Sequence, residues 1–340
     1  MKLEPATNRS TRAHLEVSRA GDGAQVLEAL LSHQRFVMCA HENPDCDVLA
    51  SGFALGLALK RLGKDVKYFL DDDVPRNLTF LPESGLTQRT FDGVADDALF
   101  LFFDMSDQAR AGKALAWVPS ERIINIDHHL SNTRFGRWNY VNEREAATGV
   151  LVMHLILGLG IAITADIAEC LLSAILSDTG CFMYSNATPQ TLRTAASLMD
   201  AGANKDRITE HLYQMRTFAA QKMLGKVLDA AVLTDDGIVY SLVSTSMLME
   251  AGADHEDLEE VVGALRAVDR CQVAALLKEQ RDGSFRLSLR SRGRVNVMAI
   301  AKRLGGGGHF RAAGAPVTGP AEAALRCVLE AIRAELQAQV

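Results

Sequence analysis

The run His41-Glu42-Asn43-Pro44-Asp45-Cys46-Asp47 places an imidazole and two aspartates within seven residues, a donor set for a divalent cation. Imidazole with carboxylate suits Mn²⁺, Fe²⁺ or Zn²⁺ better than Ca²⁺, and Pro44 stiffens so short a loop. A plainer reading competes, because Asp45 or Asp47 can simply cap the helix that follows. The triplet Asp127-His128-His129 is sharper. Adjacent strand side chains point to opposite faces, and burying both imidazoles as mere packing would strand their nitrogens. One of them suits a metal and the other a substrate. Asp178 closes an apolar helical stretch, where the negative end of the helix dipole disfavours a carboxylate and a nearby cation would compensate. Asp104, after Leu99-Phe100-Leu101-Phe102-Phe103, is by itself only an acid ending a strand, a common turn residue. The run Asp71-Asp72-Asp73 reads as a solvated loop with a helix cap rather than as further ligands.

Elements must bring these distant residues together. Runs at 35–40, 66–70, 99–103 and 122–126 have strand length and are rich in Val, Ile, Phe and Leu, as expected for parallel strands buried on both faces. Helical spacing follows over 48–62 and stops at Gly63, a glycine suited to a C-cap. The apolar stretch 150–163 reads as a buried core helix. Each strand hands over to a polar residue: His41, Asp71, Asp104 and Asp127. Ligands bind at that edge of open α/β sheets, so one sheet gathers the scattered acids into one candidate site. Helices at 188–201, 206–215 and 218–231 read as a connector. A second, smaller α/β unit follows, with strands at 238–243, 272–279 and 284–291 and helices at 257–267, 296–304 and 321–337. The expected organisation is therefore an N-terminal extension (1–23), a catalytic metal-binding domain with a mainly parallel sheet flanked by helices (24–187), a helical connector (188–231) and a substrate-binding domain (232–340).

The composition excludes several classes. With 340 residues, 48% hydrophobic and 23% charged, the chain can bury a sizeable core and is neither disordered nor fibrous. A net charge of -6 argues against a long footprint on duplex DNA, which needs many Lys and Arg contacts to phosphate, while a short anionic ligand held by a few local cations is allowed. The six cysteines form no C-x-x-C pair, so neither a zinc knuckle nor a disulfide framework is expected, and a reducing cytoplasm fits best. The first 23 residues lack an apolar signal core, and no apolar run reaches the roughly 20 residues of a membrane helix.

Taken in order, His41-x-x-Pro44-Asp45-x-Asp47, Asp104, Asp127-His128-His129 and Ser177-Asp178-Thr179-Gly180 resemble the DHH phosphoesterase superfamily. Leu289-Arg290-Ser291-Arg292 and Gly305-Gly306-Gly307-Gly308-His309-x-x-Ala312-Ala313-Gly314 look like its C-terminal DHHA1 domain. The resemblance covers roughly residues 26–333, and length and motif order are similar to the nanoRNase (oligoribonuclease)/3′-phosphoadenosine 5′-phosphate phosphatase group. It implies two Mn²⁺ ions, with Mg²⁺ or Co²⁺ as substitutes: His41, Asp45 and Asp104 on one, and Asp47, Asp104, His128 and Asp178 on the other. Asp104 would bridge, Asp127 would orient, and His129 would face the substrate phosphate; Asp104, Asp127, His128 and His129 are thus the expected catalytic set. Converging carboxylates would repel without cations, which agrees with that assignment. Arg290, Ser291, Gly306, Gly307, Gly308 and His309 would join His129 in binding substrate. Cys46 departs from the commonest pattern, and a thiol there raises soft-metal binding or oxidation as an option.

The implied activity is hydrolysis of very short RNA to mononucleotides by in-line attack of water, with 3′-phosphoadenosine 5′-phosphate as a further substrate. Linear or cyclic dinucleotides such as pApA, pGpG and cyclic di-AMP are the alternative substrates. No sensory or membrane segment is expected before the catalytic unit, which lowers the odds of a dedicated signalling enzyme. A long-strand exonuclease fits less well, for want of basic excess. Assembly as a homodimer is compatible with the enzymatic reading, and a non-catalytic nucleotide-binding protein that scaffolds a partner is the reading from another class. Lost ligands would be its signature, and every ligand position is intact.

Overall fold

The computed structural model describes residues 21–258, 261–308 and 310–338. Its contacts divide the chain into two compact units, meeting in sequence between Met215 and Arg216. The first twenty residues of the expected N-terminal extension lie outside the described residues, and its last three open helix α1 (Gly21–Ser32).

The first unit is built on a six-stranded, all-parallel sheet. Its strands are β1 (Arg35–Cys39), β2 (Asp65–Phe69), β3 (Thr87–Gln88), β4 (Leu99–Phe103), β5 (Ile123–Asp127) and β6 (Trp138–Val141), in the order β3-β2-β1-β4-β5-β6. The chain runs outward from β1 in one direction and then crosses back to β4 on its other side. The carboxyl ends of β1 and β4 therefore splay apart at a topological switch point, where open α/β sheets bind ligands. Every residue of β4 and β5 is buried, which explains the wholly apolar sequence of β4, while the polar Asn125 and Asp127 of β5 are hydrogen-bonded. One face of the sheet, carrying Met38, Leu101, Phe103 and Ile126, packs beneath α2 (Cys46–Arg61), α3 (Thr148–Gly158) and α4 (Ala165–Asp178). The other, carrying Val37, Cys39, Phe69, Phe100 and Phe102, is covered by loop-borne Phe91, Val94, Ala111, Leu115 and Val118 instead of long helices. Helix α3 is buried from Thr148 through Ile156, in keeping with its largely apolar sequence.

The expected connector 188–231 divides between the units. Helix α5 (Pro189–Asp200), the short α6 (Lys205–Thr209) and a π-helical turn at Glu210–Gln214 belong to the first, and α7 (Phe218–Asp229) to the second.

The second unit holds a mixed six-stranded sheet. Its strands are β7 (Val232–Leu233), β8 (Ile238–Val243), β9 (Val273–Glu279), β10 (Phe285–Ser291), β11 (Gly307–Gly308) and β12 (Ala312–Val317), in the order β11-β12-β10-β9-β8-β7. Only β8 and β9 run parallel. Helices α7, α8 (Thr245–Ala251) and α9 (Val261–Arg266) share one core with Val239, Ala274 and Leu276. Helices α10 (Val297–Arg303) and α11 (Ala321–Gln337) share the other with Leu277, Leu287 and Ala315.

Candidate metal centre

Two residues after β1, His41 turns its Nδ1 onto the carbonyl of Glu42 at 2.9 Å. A carbonyl only accepts, so Nδ1 carries the proton, and the buried Nε2 presents a lone pair that meets no hydrogen-bond partner. The loop beyond is held open by backbone ties: Asn43, at φ 53°, donates its N–H to Asp72 Oδ2 at 2.6 Å, and Glu42 donates to Arg110 O at 3.0 Å. Asp72 thus braces the loop. Asp45 caps α2, accepting from Val48 N at 3.1 Å, while its other oxygen stands 3.8 Å from His41 Nε2. Capping uses one oxygen of Asp45 and leaves the other on the side of His41. Asp47, in the first turn of α2, is buried, as is Asp104, which leaves β4 in the left-handed region at φ 53° with its N–H on Ile126 O at 3.0 Å.

Asp127 ends β5, and the two histidines behind it diverge. His128 points Nδ1 at Glu145 O, 3.1 Å away, so its Nε2 faces the carboxylates. That atom lies 3.4 Å from Asp104 Oδ1, 3.4 Å from Asp178 Oδ2 and 4.0 Å from Asp47 Oδ2. His129 instead places Nδ1 on Asp127 Oδ1 at 2.6 Å. Asp178 is the last residue of α4, and Asn186 donates its amide to the Asp178 and Ala146 carbonyls, both at 3.1 Å. Between them Gly180, Cys181 and Phe182 all have positive φ, a left-handed turn tied by Cys181 N to Leu176 O at 2.7 Å and Phe182 N to Thr179 Oγ1 at 3.1 Å. Such backbone is unfavourable for L-residues and persists where surrounding bonds over-determine it.

Three donor groups emerge, each with its ligand atoms within 4.8 Å of one another: His41, Asp45 and Asp104; Asp47, His128 and Asp178; and Asp104, His128 and His129. In the third, the His129 Nδ1 that stands 3.5 Å from Asp104 Oδ1 is already turned to Asp127 at 2.6 Å, which favours the first two. Asp104 lies between those two: Oδ2 is 4.0 Å from His41 Nε2, and Oδ1 faces His128.

Electrostatics show the same demand for positive charge. Burial pushes the carboxyl of Asp47 up, helped by Asp104 and Asp178; burial likewise lifts Asp178 to about 7, against the pull of His128. Burial also opposes ionisation of Asp104, but His129 and His128 outweigh it and hold that carboxyl below its usual range. His128 is raised despite its own burial, by Asp178, Asp104 and Asp47. Protons and divalent cations are alternative ways to balance these acids, and a buried imidazole lone pair among carboxylate oxygens is a donor set that suits a divalent metal ion. Burial, then Asp45 and Asp47, push the Cys46 thiol well up, which keeps it protonated.

Some site residues carry no signal of their type. Thr148, Gly149 and Ser51 all donate to the clustered carboxylates, and Asn132 donates to Asp127 and to Asn125 Oδ1 at 2.8 Å. In the second unit, Arg290 and Ser291 end β10. Arg290 donates to Leu289 O at 3.0 Å, and the buried Ser291 hydroxyl donates to Val295 O at 2.7 Å. Gly306 and Gly308 permit a close backbone approach to β12, since a Cβ would lie 2.1 Å from Gly314 O and 2.6 Å from Ala312 O respectively. Gly307 pairs with Gly314, and His309 lies outside the described residues.

Residues 35–175 match the DHH family, N-terminal domain, and residues 235–338 match the DHHA1 domain. The chain is 37% identical over 315 residues to the bifunctional oligoribonuclease and PAP phosphatase NrnA of Thermus thermophilus, covering 92% of this chain and 93% of that protein. It is 22% identical over 297 residues to the protein of the same name from Bacillus subtilis, covering 86% and 92%. Among solved structures, an exopolyphosphatase-related protein from Bacteroides fragilis superposes with a TM-score of 0.84 at 22% identity, over 96% of this chain and 97% of that one, a likeness of fold. Two domain matches in the expected order, joined to an end-to-end relative, establish that the chain belongs to the DHH–DHHA1 family of phosphoesterases.

Proposed function

We propose that the protein is a Mn²⁺-dependent phosphodiesterase that hydrolyses very short RNA, dinucleotides included, to mononucleotides, and that it also removes a phosphate from 3′-phosphoadenosine 5′-phosphate. The observation that carries this reading is Asp104, whose two oxygens face two different His/Asp groups, one of them containing the unpartnered Nε2 of buried His41. The Thermus thermophilus relative, named for both activities, supplies the substrate classes.

His41, Asp45 and Asp104 would hold one ion, and Asp47, Asp104, His128 and Asp178 the other. A pair of divalent cations supplies Lewis acidity to phosphoryl oxygens and an activated water at neutral pH. The chain's own contribution is orientation. Asp127 keeps the His129 proton on Nδ1, so that Nε2 is the nitrogen left to meet a substrate phosphate oxygen. Water suffices as nucleophile, and no covalent enzyme intermediate is required. Arg290 and the Gly306–Gly308 backbone are the proposed substrate contacts of the second domain, with His309 beside them. Net charge of -6 favours substrates with few phosphates over polymers. Among the described residues no helix is long and apolar enough to cross a membrane. We place the protein in the cytoplasm, where its six free cysteines stay reduced.

The test is a substrate panel with purified protein and Mn²⁺: di- to pentaribonucleotides, longer oligomers, pApA, pGpG, cyclic di-AMP and 3′-phosphoadenosine 5′-phosphate. Turnover should concentrate on the shortest RNAs and the bisphosphate and vanish in Asp104→Ala. Undiminished turnover in that variant, or none on any short substrate, contradicts the proposal.

A further inference from the structure

Thr148 opens helix α3 and is fully buried. Its backbone N–H donates to Asp47 Oδ2 at 2.7 Å, and its hydroxyl donates to Asp104 Oδ1 at 3.0 Å. The next N–H, that of Gly149, reaches Asp47 Oδ1 at 3.0 Å, and Ser51 Oγ reaches the same oxygen at 3.0 Å. A carboxylate oxygen offers two lone-pair directions. Asp47 Oδ1 is therefore filled by Gly149 and Ser51, while Oδ2 keeps one direction, on the side of His128. Asp47 is left as a ligand through a single oxygen.

Asp104 faces the opposite requirement, since both of its oxygens have to serve. Rotation about the bond to a carboxylate is soft, so nothing intrinsic to aspartate fixes the plane of the group. The Thr148 hydroxyl is the donor at 3.0 Å, whereas the nearest imidazole nitrogens, His128 Nε2 and His129 Nδ1, stand at 3.4 and 3.5 Å, and the latter is turned to Asp127. With one lone pair of Oδ1 taken by Thr148, the other faces the His128 group and Oδ2 faces His41.

Resting on the two-ion reading above, we infer that Thr148 is a positioning residue: its hydroxyl sets the plane of the Asp104 carboxylate so that one oxygen serves each ligand group. It thereby determines whether two cations are held as a coupled pair. No catalytic contact is assigned to it, because its donors end on protein carboxylates.

The experiment uses the full-length, metal-free protein and Mn²⁺ alone. Thr148→Val keeps the shape and the backbone N–H and removes the hydroxyl. Calorimetric titration should show the second Mn²⁺ equivalent binding about 10- to 100-fold more weakly than in the parent protein. Low-temperature electron paramagnetic resonance should show the exchange-coupled signal replaced by the resolved hyperfine spectrum of isolated Mn²⁺. Thr148→Ser, which restores the hydroxyl, should recover both. A purely structural role would lower the melting temperature without uncoupling the ions. Should the valine variant fail to fold, judged by far-ultraviolet circular dichroism, Thr148→Ala with the same two readouts decides. A hydroxyl-free variant that binds both equivalents within about twofold of the parent and keeps the coupled signal overturns the inference alone. A parent protein that takes up no Mn²⁺ overturns the two-ion reading, and the role of Thr148 with it.

Discussion

Among the described residues, Asp127 meets the candidate centre through His129. Its carboxylate is buried and shared between His129 Nδ1, at 2.6 Å, and the side-chain amide of Asn132, which also bonds the Met105 carbonyl at 2.9 Å. The chain Asn125, Asn132, Asp127, His129 thus fixes the tautomer of the histidine that faces substrate in the proposed mechanism. Asp127→Asn conserves shape but removes the charge, and one rotamer would oppose N–H to N–H. We expect kcat on a diribonucleotide with Mn²⁺ to fall ~10- to 100-fold, with little change in melting temperature; an unchanged kcat would show the pairing to be idle. Gly149 poses a packing question, because a Cβ there would stand 2.6 Å from Ala174 Cβ on α4. Gly149→Ala should therefore destabilise the fold by about 1–3 kcal/mol in denaturant titration, and an unaltered midpoint would show that α3 and α4 separate at little cost. His41, Asp47, His128 and Asp178 were legible in the sequence because their types do chemistry and stand out in apolar surroundings. Thr148 and Asn132 were not, since threonine and asparagine are common at helix starts and turns and their partners lie elsewhere; Thr148 is 44 positions from Asp104.

At the level of elements, legibility followed burial. Strands β1, β4 and β5 lie inside a parallel sheet and read as largely apolar runs, so their ends, and the candidate ligands at those ends, are legible in the sequence. Strand β6, at the sheet edge, is only partly buried and reads as a mixed polar segment. Strand β12 hid for a different reason. Its residues Ala312–Val317 are alanine, glycine, proline and valine, mostly types depleted from strands, and register with β10 holds them extended. The same pairing explains the glycine run, which brings the β11 backbone against β12 more closely than side chains would allow. Gly308, at φ 137° with a Cβ position 2.6 Å from Ala312 O, is the stringent case. Gly308→Ala should destabilise the second unit by ~1–3 kcal/mol, read as a lower denaturant midpoint for the fragment-specific protection of β10 and β12 in hydrogen exchange. Undisturbed protection there would mean that the glycine serves a ligand rather than the sheet.

The whole molecule separates two tasks. The first unit gathers acids that repel one another when ionised, a cost met in the folded state by protons, by His128 and His129, or by cations. The second unit builds its cores without any such cluster among the described residues. Cations that bind the folded cluster and not the unfolded chain must shift the folding equilibrium of the unit that holds it. Mn²⁺ at ~100 times its dissociation constant should add about 2.7 kcal/mol to that unit for each ion bound. Differential scanning calorimetry of the full chain is therefore expected to show the first unit's transition rising with Mn²⁺ and falling back with EDTA, while the transition assigned to the second unit stays in place. Assignment follows from Gly149→Ala, which should lower only the first, and Gly308→Ala, which should lower only the second. If Mn²⁺ raised the transition that Gly308→Ala lowers, the principal cation site would belong to the DHHA1 half, and the assignment of the acids at the strand ends would have to be abandoned.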